Sequence, residues 1–295
     1  MDESGDYWVV DVFVKAQQWD SQEPHDVTLA TQCTSNHLHY VVRLTENWQG
    51  PVSVAVFTYD EDFLYTVHAI LYFHLCHLPV LKHVTFHLSF PKDRSPEDVA
   101  RLLDAVEGRF TCSKPPEPAR NETLRNYVVG KGIPYPIGTL RNVALKNVRT
   151  THVLNHDMDL MPSLNLRSSF IRDIPDKVPP SSNHSGSSKL AYIVPAVELN
   201  REVVAATAPL NKSALLEAWS RQETRPFWVE ECPKCQWPTD YERWTGLPLS
   251  GNLGVAYTVP YQPEWEPYYI ASASSLPLFD GRFKQFGVDR QSQVS

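Results

Sequence analysis

Thr151-His-Val-Leu-Asn-His-Asp-Met-Asp-Leu160 reads as a short strand, Thr151 to Asn155, running into two carboxylates separated by one residue. In an extended or turning segment alternate side chains project the same way, so Asp157 and Asp159 can face a common point. Two hard oxygen donors at the end of a buried strand suit Mg²⁺ or Mn²⁺ carrying a diphosphate. An isolated Asp-x-Asp is more often a solvated turn, so the weight of this reading comes from its surroundings.

Upstream, Asp26-Val-Thr-Leu-Ala-Thr-Gln-Cys33 is rich in β-formers and reads as a first buried strand. Asn36 is placed to cap a helix running through Leu38, Val41, Val42 and Leu44 to Trp48, and Gly50-Pro51 ends it. Val52 to Thr58 is a second strand and Phe63 to Leu78 a mostly apolar helix. His83 to Phe90 is a third strand, with alternation around Val84, Phe86 and Leu88. Strand, helix, strand, helix, strand at these lengths predicts an α/β domain whose mixed, mostly parallel sheet is covered by helices. Ligands of such sheets bind beyond the carboxyl ends of strands, where Asp157 and Asp159 stand. A phosphatase built on Asp-x-Asp wants a small or hydroxyl residue just afterwards and a Lys-bearing motif downstream; Leu160-Met-Pro162 follows instead.

The flanking segments fill in the rest. Residues 1–25 are polar with scattered aromatics and read as a stem-like segment ahead of one domain over 26–295. Lys114 to Pro118 and Pro175 to Ser188 are low-complexity loops. Tyr135 to Leu145 is an amphipathic helix bearing Arg141 and Asn142. A lone Arg on a helix is usually solvated. Facing a nucleotide sugar, it would pair with phosphate or a sugar carboxylate in a two-pronged contact. A strand at Leu190 to Val194 and a helix over Lys212 to Trp219 follow, then an aromatic, Pro-rich segment from Arg225 to Trp265. No internal repeat or convincing linker divides the chain.

Three further motifs carry chemistry. Cys232-Pro-Lys-Cys235 has the spacing of one half of a zinc site but no second pair follows, so it reads as a structural disulfide or a pinned loop. Trp265-Glu-Pro-Tyr268, beside a strand over Tyr268 to Ala271, is either a packed strand entry or a sugar-stacking wall. In the second case Trp265 stacks and Glu266 is the general base. Phe279 to Asp289 repeats the theme and adds Asp280 and Asp289 as acid candidates, although buried aromatics with a capping Asp explain it as well.

Composition narrows the class. The chain has 295 residues, a net charge of −7, 42% hydrophobic and 21% charged residues, which is ordinary for a globular protein and does not suggest a nucleic-acid surface. Eight Trp, thirteen Tyr and 24 Pro favour long shaped loops with stacking surfaces. No apolar run is long enough to cross a membrane, and Met1-Asp-Glu-Ser-Gly-Asp6 has no leader character. Acceptor triplets at Asn121, Asn183 and Asn211 lean toward a secretory lumen. Five cysteines neither demand nor exclude disulfides.

Taken in order, several stretches together resemble the family-49 type glycosyltransferases, in particular the members that add glucuronate to the O-mannosyl glycan of α-dystroglycan. They are Tyr135-Pro-Ile-Gly-Thr-Leu-Arg-Asn-Val-Ala144, the Asp-x-Asp run with Pro162, Ile193-Val-Pro-Ala-Val-Glu198, Leu210-Asn-Lys212 and Arg225-Pro-Phe227. The likeness continues through Cys232-x-x-Cys-Gln-x-Pro-Thr-x-Tyr-x-Arg-Trp244, Trp265 to Tyr268, and Phe279 to Gly287. The resemblance implies a GT-A type nucleotide-sugar-binding fold and an inverting β-1,4-glucuronyltransferase-like activity. It implies UDP-glucuronate as donor, Mn²⁺ at Asp157 and Asp159, and a xylose-terminated glycan as acceptor. It further implies a Golgi-lumen enzyme on a single N-terminal membrane anchor, with a partner glycosyltransferase. Family members continue into another strand and a His that completes the metal shell, whereas this chain lacks the anchor and stops at Ser295. The expectation is therefore a shortened form with a weaker metal site, and the alternative function is a non-catalytic glycan-binding or scaffold homologue.

Overall fold

The computed structural model describes residues 2–96, 111–113, 132–174, 190–200, 209 and 211–284. Its centre is four parallel strands: β2 (Val27–Thr34), β3 (Val52–Phe57), β4 (Val84–Pro91) and β5 (His152–Asn155). β1 (Tyr7–Val14) adds antiparallel to β4, and β9 (Tyr269–Ser272) antiparallel to β5, with β6 (Ala191–Ile193) outside it. The seven-stranded order is β1-β4-β3-β2-β5-β9-β6, the mixed and mostly parallel sheet that the sequence predicts. A separate hairpin pairs β7 (Val197–Leu199) with β8 (Thr224–Pro226). Among the described residues there are eight α-helices: α1 (Tyr40–Trp48), α2 (Phe63–Cys76), α3 (Leu78–His83), α4 (Ile137–Lys146), α5 (Leu166–Asp173), α6 (Lys212–Ser220), α7 (Pro233–Gln236) and α8 (Tyr241–Thr245).

The two faces of the sheet differ because alternate strand residues point opposite ways. Val52, Val54, Val56, Val84, Phe86 and Leu88 join Leu44 and Trp48 of α1 and Val67 and Ile70 of α2 in one core. Each such side chain contributes about 1.5–3 kcal/mol on burial. The opposite face is lined by Ala30, Ser53 and Ala55, small enough for α4 to sit close with Ile137, Leu140 and Ala144. That closeness buries eight of the ten α4 residues, Arg141 and Asn142 included. The helix is thus buried nearly all round rather than amphipathic, because the Phe279–Gly281 segment covers its outer side. A Cβ on Gly138 would lie 2.6 Å from the Asp280 carbonyl oxygen, a spacing only glycine permits.

Two local expectations are corrected. Tyr7–Val14, read as part of a stem, is an edge strand. Its half-exposed pattern and the register slip between Val10 and Val14 hid it from a periodicity test. Asn36 does not cap α1. It lies in a 3₁₀ turn, Ser35–His37, where its side chain accepts from the Thr34 hydroxyl and contacts His37, and the α-helix starts at Tyr40. Disulfides join Cys76 to Cys112 and Cys232 to Cys235.

Candidate active site

β5 delivers the acidic pair. The His156 N–H donates to the Ala30 carbonyl at 2.9 Å, carrying the strand pairing one residue further, and the Leu160 N–H closes a turn on the Asp157 carbonyl at 3.1 Å. Between the carboxylates, Met158 is buried in the core formed with α1 and α2. A turn anchored inward by its middle side chain presents both neighbours outward, at the carboxyl ends of β2 and β5.

Asp157 is held by three elements at once. Its Oδ1 accepts from Arg141 Nη2 at 2.8 Å and from Gln32 Nε2 at 3.4 Å, and its Oδ2 accepts from the Tyr268 hydroxyl at 2.6 Å. The Tyr135 hydroxyl donates in turn to Gln32 Oε1. The Arg141 guanidinium is 3% exposed and lies 5.2 Å above the Phe279 ring, so its charge is balanced inside the protein by Asp157. Asp159 stands at the exposed rim. Desolvation by the surrounding protein and the negative charge of Asp157 hold its carboxyl above the ordinary value, partly opposed by His37. Desolvation lowers the His37 imidazole, with the Asp159 charge working the other way. Two neighbouring carboxylates on one turn, with the charge of Asp157 adding to the desolvation of Asp159, form an oxygen donor set that would suit a divalent cation.

The remaining sequence candidates are dispersed. Asn142 commits both ends of its amide to the backbone of Phe279, each at 2.8 Å, and so pins that segment to α4. Trp265 is 3% exposed and donates Nε1–H to Thr239 Oγ1 at 3.2 Å, which makes it a core residue and not an open stacking wall. Glu266 lies two residues before Tyr268, its N–H donating to the Cys235 carbonyl at 2.9 Å and its Oε1 withdrawn from solvent. Asp280 is tied to its neighbour Arg282, whose hydrogen bonds bring its carboxyl down to about 2. Asp289 lies outside the described residues. Asn211 spends its side-chain oxygen capping α6 through the Ala214 N–H at 2.9 Å, while Asn121 and Asn183 lie outside the described residues.

Gln32, His37, Tyr135 and Tyr268 were missed. Tyr135 and Tyr268 sit inside motifs quoted above, so their positions were visible but not their common target. Among the described residues, no three His, Cys, Asp or Glu side chains cluster as a metal-ligand set. A depression of about 210 Å³ lined by His25, Asp26, His152 and Phe170 opens at the amino ends of β2 and β5, away from the carboxylates.

The sequence profile of the family described as "Glycosyl-transferase for dystroglycan" matches residues 26–295. Human Beta-1,4-glucuronyltransferase 1 is 34% identical over 303 residues, covering 100% of this chain and 68% of the relative. The Danio rerio protein of the same name is 32% identical over 313 residues, covering 99% of this chain and 68% of its own length. Xylosyl- and glucuronyltransferase LARGE2 of Mus musculus is 25% identical over 272 residues, covering 92% of this chain and 31% of that protein. With the profile, the identity over the whole chain and the mixed, mostly parallel α/β sheet in agreement, the chain belongs to the family of glycosyl-transferases for dystroglycan and is a glucuronyltransferase-like enzyme.

Proposed function

We propose that this protein transfers glucuronate from UDP-glucuronate to a xylose-terminated glycan of the O-mannosyl type, inverting the anomeric centre, with Mn²⁺ at Asp157 and Asp159. The observation carrying it is the convergence of Arg141 and Tyr268 on Asp157 at the carboxyl ends of β2 and β5, with Asp159 on the same turn at the exposed rim. The relatives named for glucuronyl transfer, and for both xylosyl and glucuronyl transfer, support glucuronate as the sugar moved, and the family description supports a dystroglycan-type glycan as acceptor.

The oxygen donors fit a hard divalent ion. When bound, such an ion neutralises charge on the departing diphosphate. Arg141, Gln32 and Tyr268 fix the Asp157 carboxylate in orientation, and Arg141 contributes through Asp157 instead of projecting into open space. Glu266 is the group proposed to take the proton from the attacking acceptor hydroxyl, since it precedes Tyr268 on the same segment; Asp289 is the second candidate. Two disulfides suit an oxidising compartment and support a Golgi-lumen site of action. Among the described residues no helix is long and apolar enough to cross a membrane.

Asp159→Asn is the cleanest test, because Asp157→Asn would also uncouple the buried Arg141 cation. Mn²⁺ binding followed by electron paramagnetic resonance, and UDP release from UDP-glucuronate in Mn²⁺ against EDTA, should both collapse while the thermal transition is kept. Metal-dependent transfer surviving in Asp159→Asn would reject the assignment.

A further inference from the structure

Burial of Trp265 leaves the acceptor without the aromatic wall the sequence suggested, and the structure offers a different one. Trp228 is 39% exposed, and its φ of +56° lies in the left-handed region that bulky residues rarely enter. The surrounding framework holds it there. The Trp228 N–H donates to Glu198 Oε2 at 3.2 Å, and Arg225 bridges Glu198 to Glu230. The Trp228 carbonyl accepts from the Cys232 N–H at 2.9 Å, Cys232 is bonded to Cys235, and the Cys235 carbonyl receives the Glu266 N–H. The Cys-x-x-Cys motif therefore couples Trp228 to the candidate base through the backbone.

The ring also continues the site laterally. The Trp228 and Phe227 rings are parallel within 9° at 6.2 Å, and Phe227 meets Tyr268 edge-on at 5.7 Å. Tyr268 is the residue whose hydroxyl grips Asp157. An aromatic row thus runs from the acidic pair out to an exposed indole.

We propose that Trp228 is the acceptor platform, its indole face carrying a pyranose ring of the acceptor glycan at the outer end of the aromatic row that leads through Phe227 to Tyr268 and Asp157. The C–H-rich face of a pyranose matches the negative face of an indole, and a ring held by its backbone loses little freedom on binding. This inference rests on the transferase reading above, and its test separates the two.

Trp228→Asn removes the ring while supplying a residue that accepts a left-handed backbone, so folding should be preserved or improved. Binding is measured by saturation-transfer NMR and calorimetry with methyl β-xyloside, and separately with UDP in Mn²⁺. The expected result is xyloside affinity lowered by roughly fivefold or more, mostly restored in Trp228→Phe, with UDP affinity unchanged. Trp8→Ala, an exposed ring on the far edge strand β1, should leave both unchanged. Xyloside affinity in Trp228→Asn equal to wild type overturns the platform, as does an equal loss in Trp8→Ala. Wild-type protein that binds UDP but no xyloside overturns the platform alone. Wild-type protein that binds no UDP sinks the nucleotide-sugar reading beneath it.

Discussion

Acidification should destabilise this fold through His87, and the size of the effect follows from its contacts. His87 lies fully buried in β4. Its Nδ1 accepts the Val12 N–H at 2.9 Å, and its Nε2 meets Ser53 Oγ at 3.0 Å. Ser53 spends its own hydrogen on the Ala144 carbonyl at 2.8 Å, so the network assigns the proton to Nε2 and leaves Nδ1 bare. Protonating Nδ1 would set it against the Val12 N–H inside the protein. Burial accordingly pushes the imidazole from 6.5 down to about 4, slightly opposed by Asp11. Because the folded value lies below the unfolded one, the unfolded chain takes the proton first. The stabilisation is complete above pH 6.5 and is lost as pH falls toward 4. At about 1.4 kcal/mol per unit this is worth about 3 kcal/mol, a sizeable part of a total of roughly 5–15 kcal/mol. His87→Gln offers an amide in place of the imidazole and cannot titrate. Thermal or urea unfolding of both proteins between pH 7 and 4 should show wild type losing about 3 kcal/mol more than the variant. Parallel curves for the two proteins would refute the reasoning.

Two further outcomes test the site's supports. Gly138→Ala should destabilise by roughly 1–2 kcal/mol in urea unfolding, the helix-propensity gain of about 1 kcal/mol being outweighed by collision with the Asp280 carbonyl; a more stable variant would show that the 280–281 backbone is not packed there. Tyr268→Phe keeps the ring but removes the 2.6 Å hydrogen bond to Asp157, and Mn²⁺ affinity measured by paramagnetic resonance should fall about tenfold with the melting transition close to wild type. Unchanged affinity would detach Tyr268 from the role given to it.

The site shows where local pattern stops being informative. The place of Asp157 and Asp159 on one turn at the end of a strand was readable, because alternate residues after a short buried strand have a geometric meaning within ten residues. Arg141 was readable as a candidate, but its job was not. Whether an arginine meets solvent, phosphate or a carboxylate depends on what covers the helix, and the cover is Phe279, more than a hundred residues later. Trp265 and Trp228 illustrate the same limit in reverse. Both lie in aromatic, Pro-rich sequence, and only packing made one a core residue hydrogen-bonded to Thr239 and left the other exposed on a constrained turn.

Hydrophobic periodicity and breakers settled the three strands between Val27 and Pro91, the helices α1 and α2 between them and the acidic end of β5, since these depend on contacts between near neighbours; the short helix α3, begun after the extended His77, was not separated from α2. Strand order, the edge strand β1 and the network joining Gln32, Tyr135, Arg141 and Tyr268 to Asp157 were decided by the folded chain alone. These hydrogen bonds join side chains sixteen residues apart for Arg141 and Asp157 and more than a hundred apart for the others, and they leave no periodic trace because their energy depends on positions in space and not on spacing along the chain.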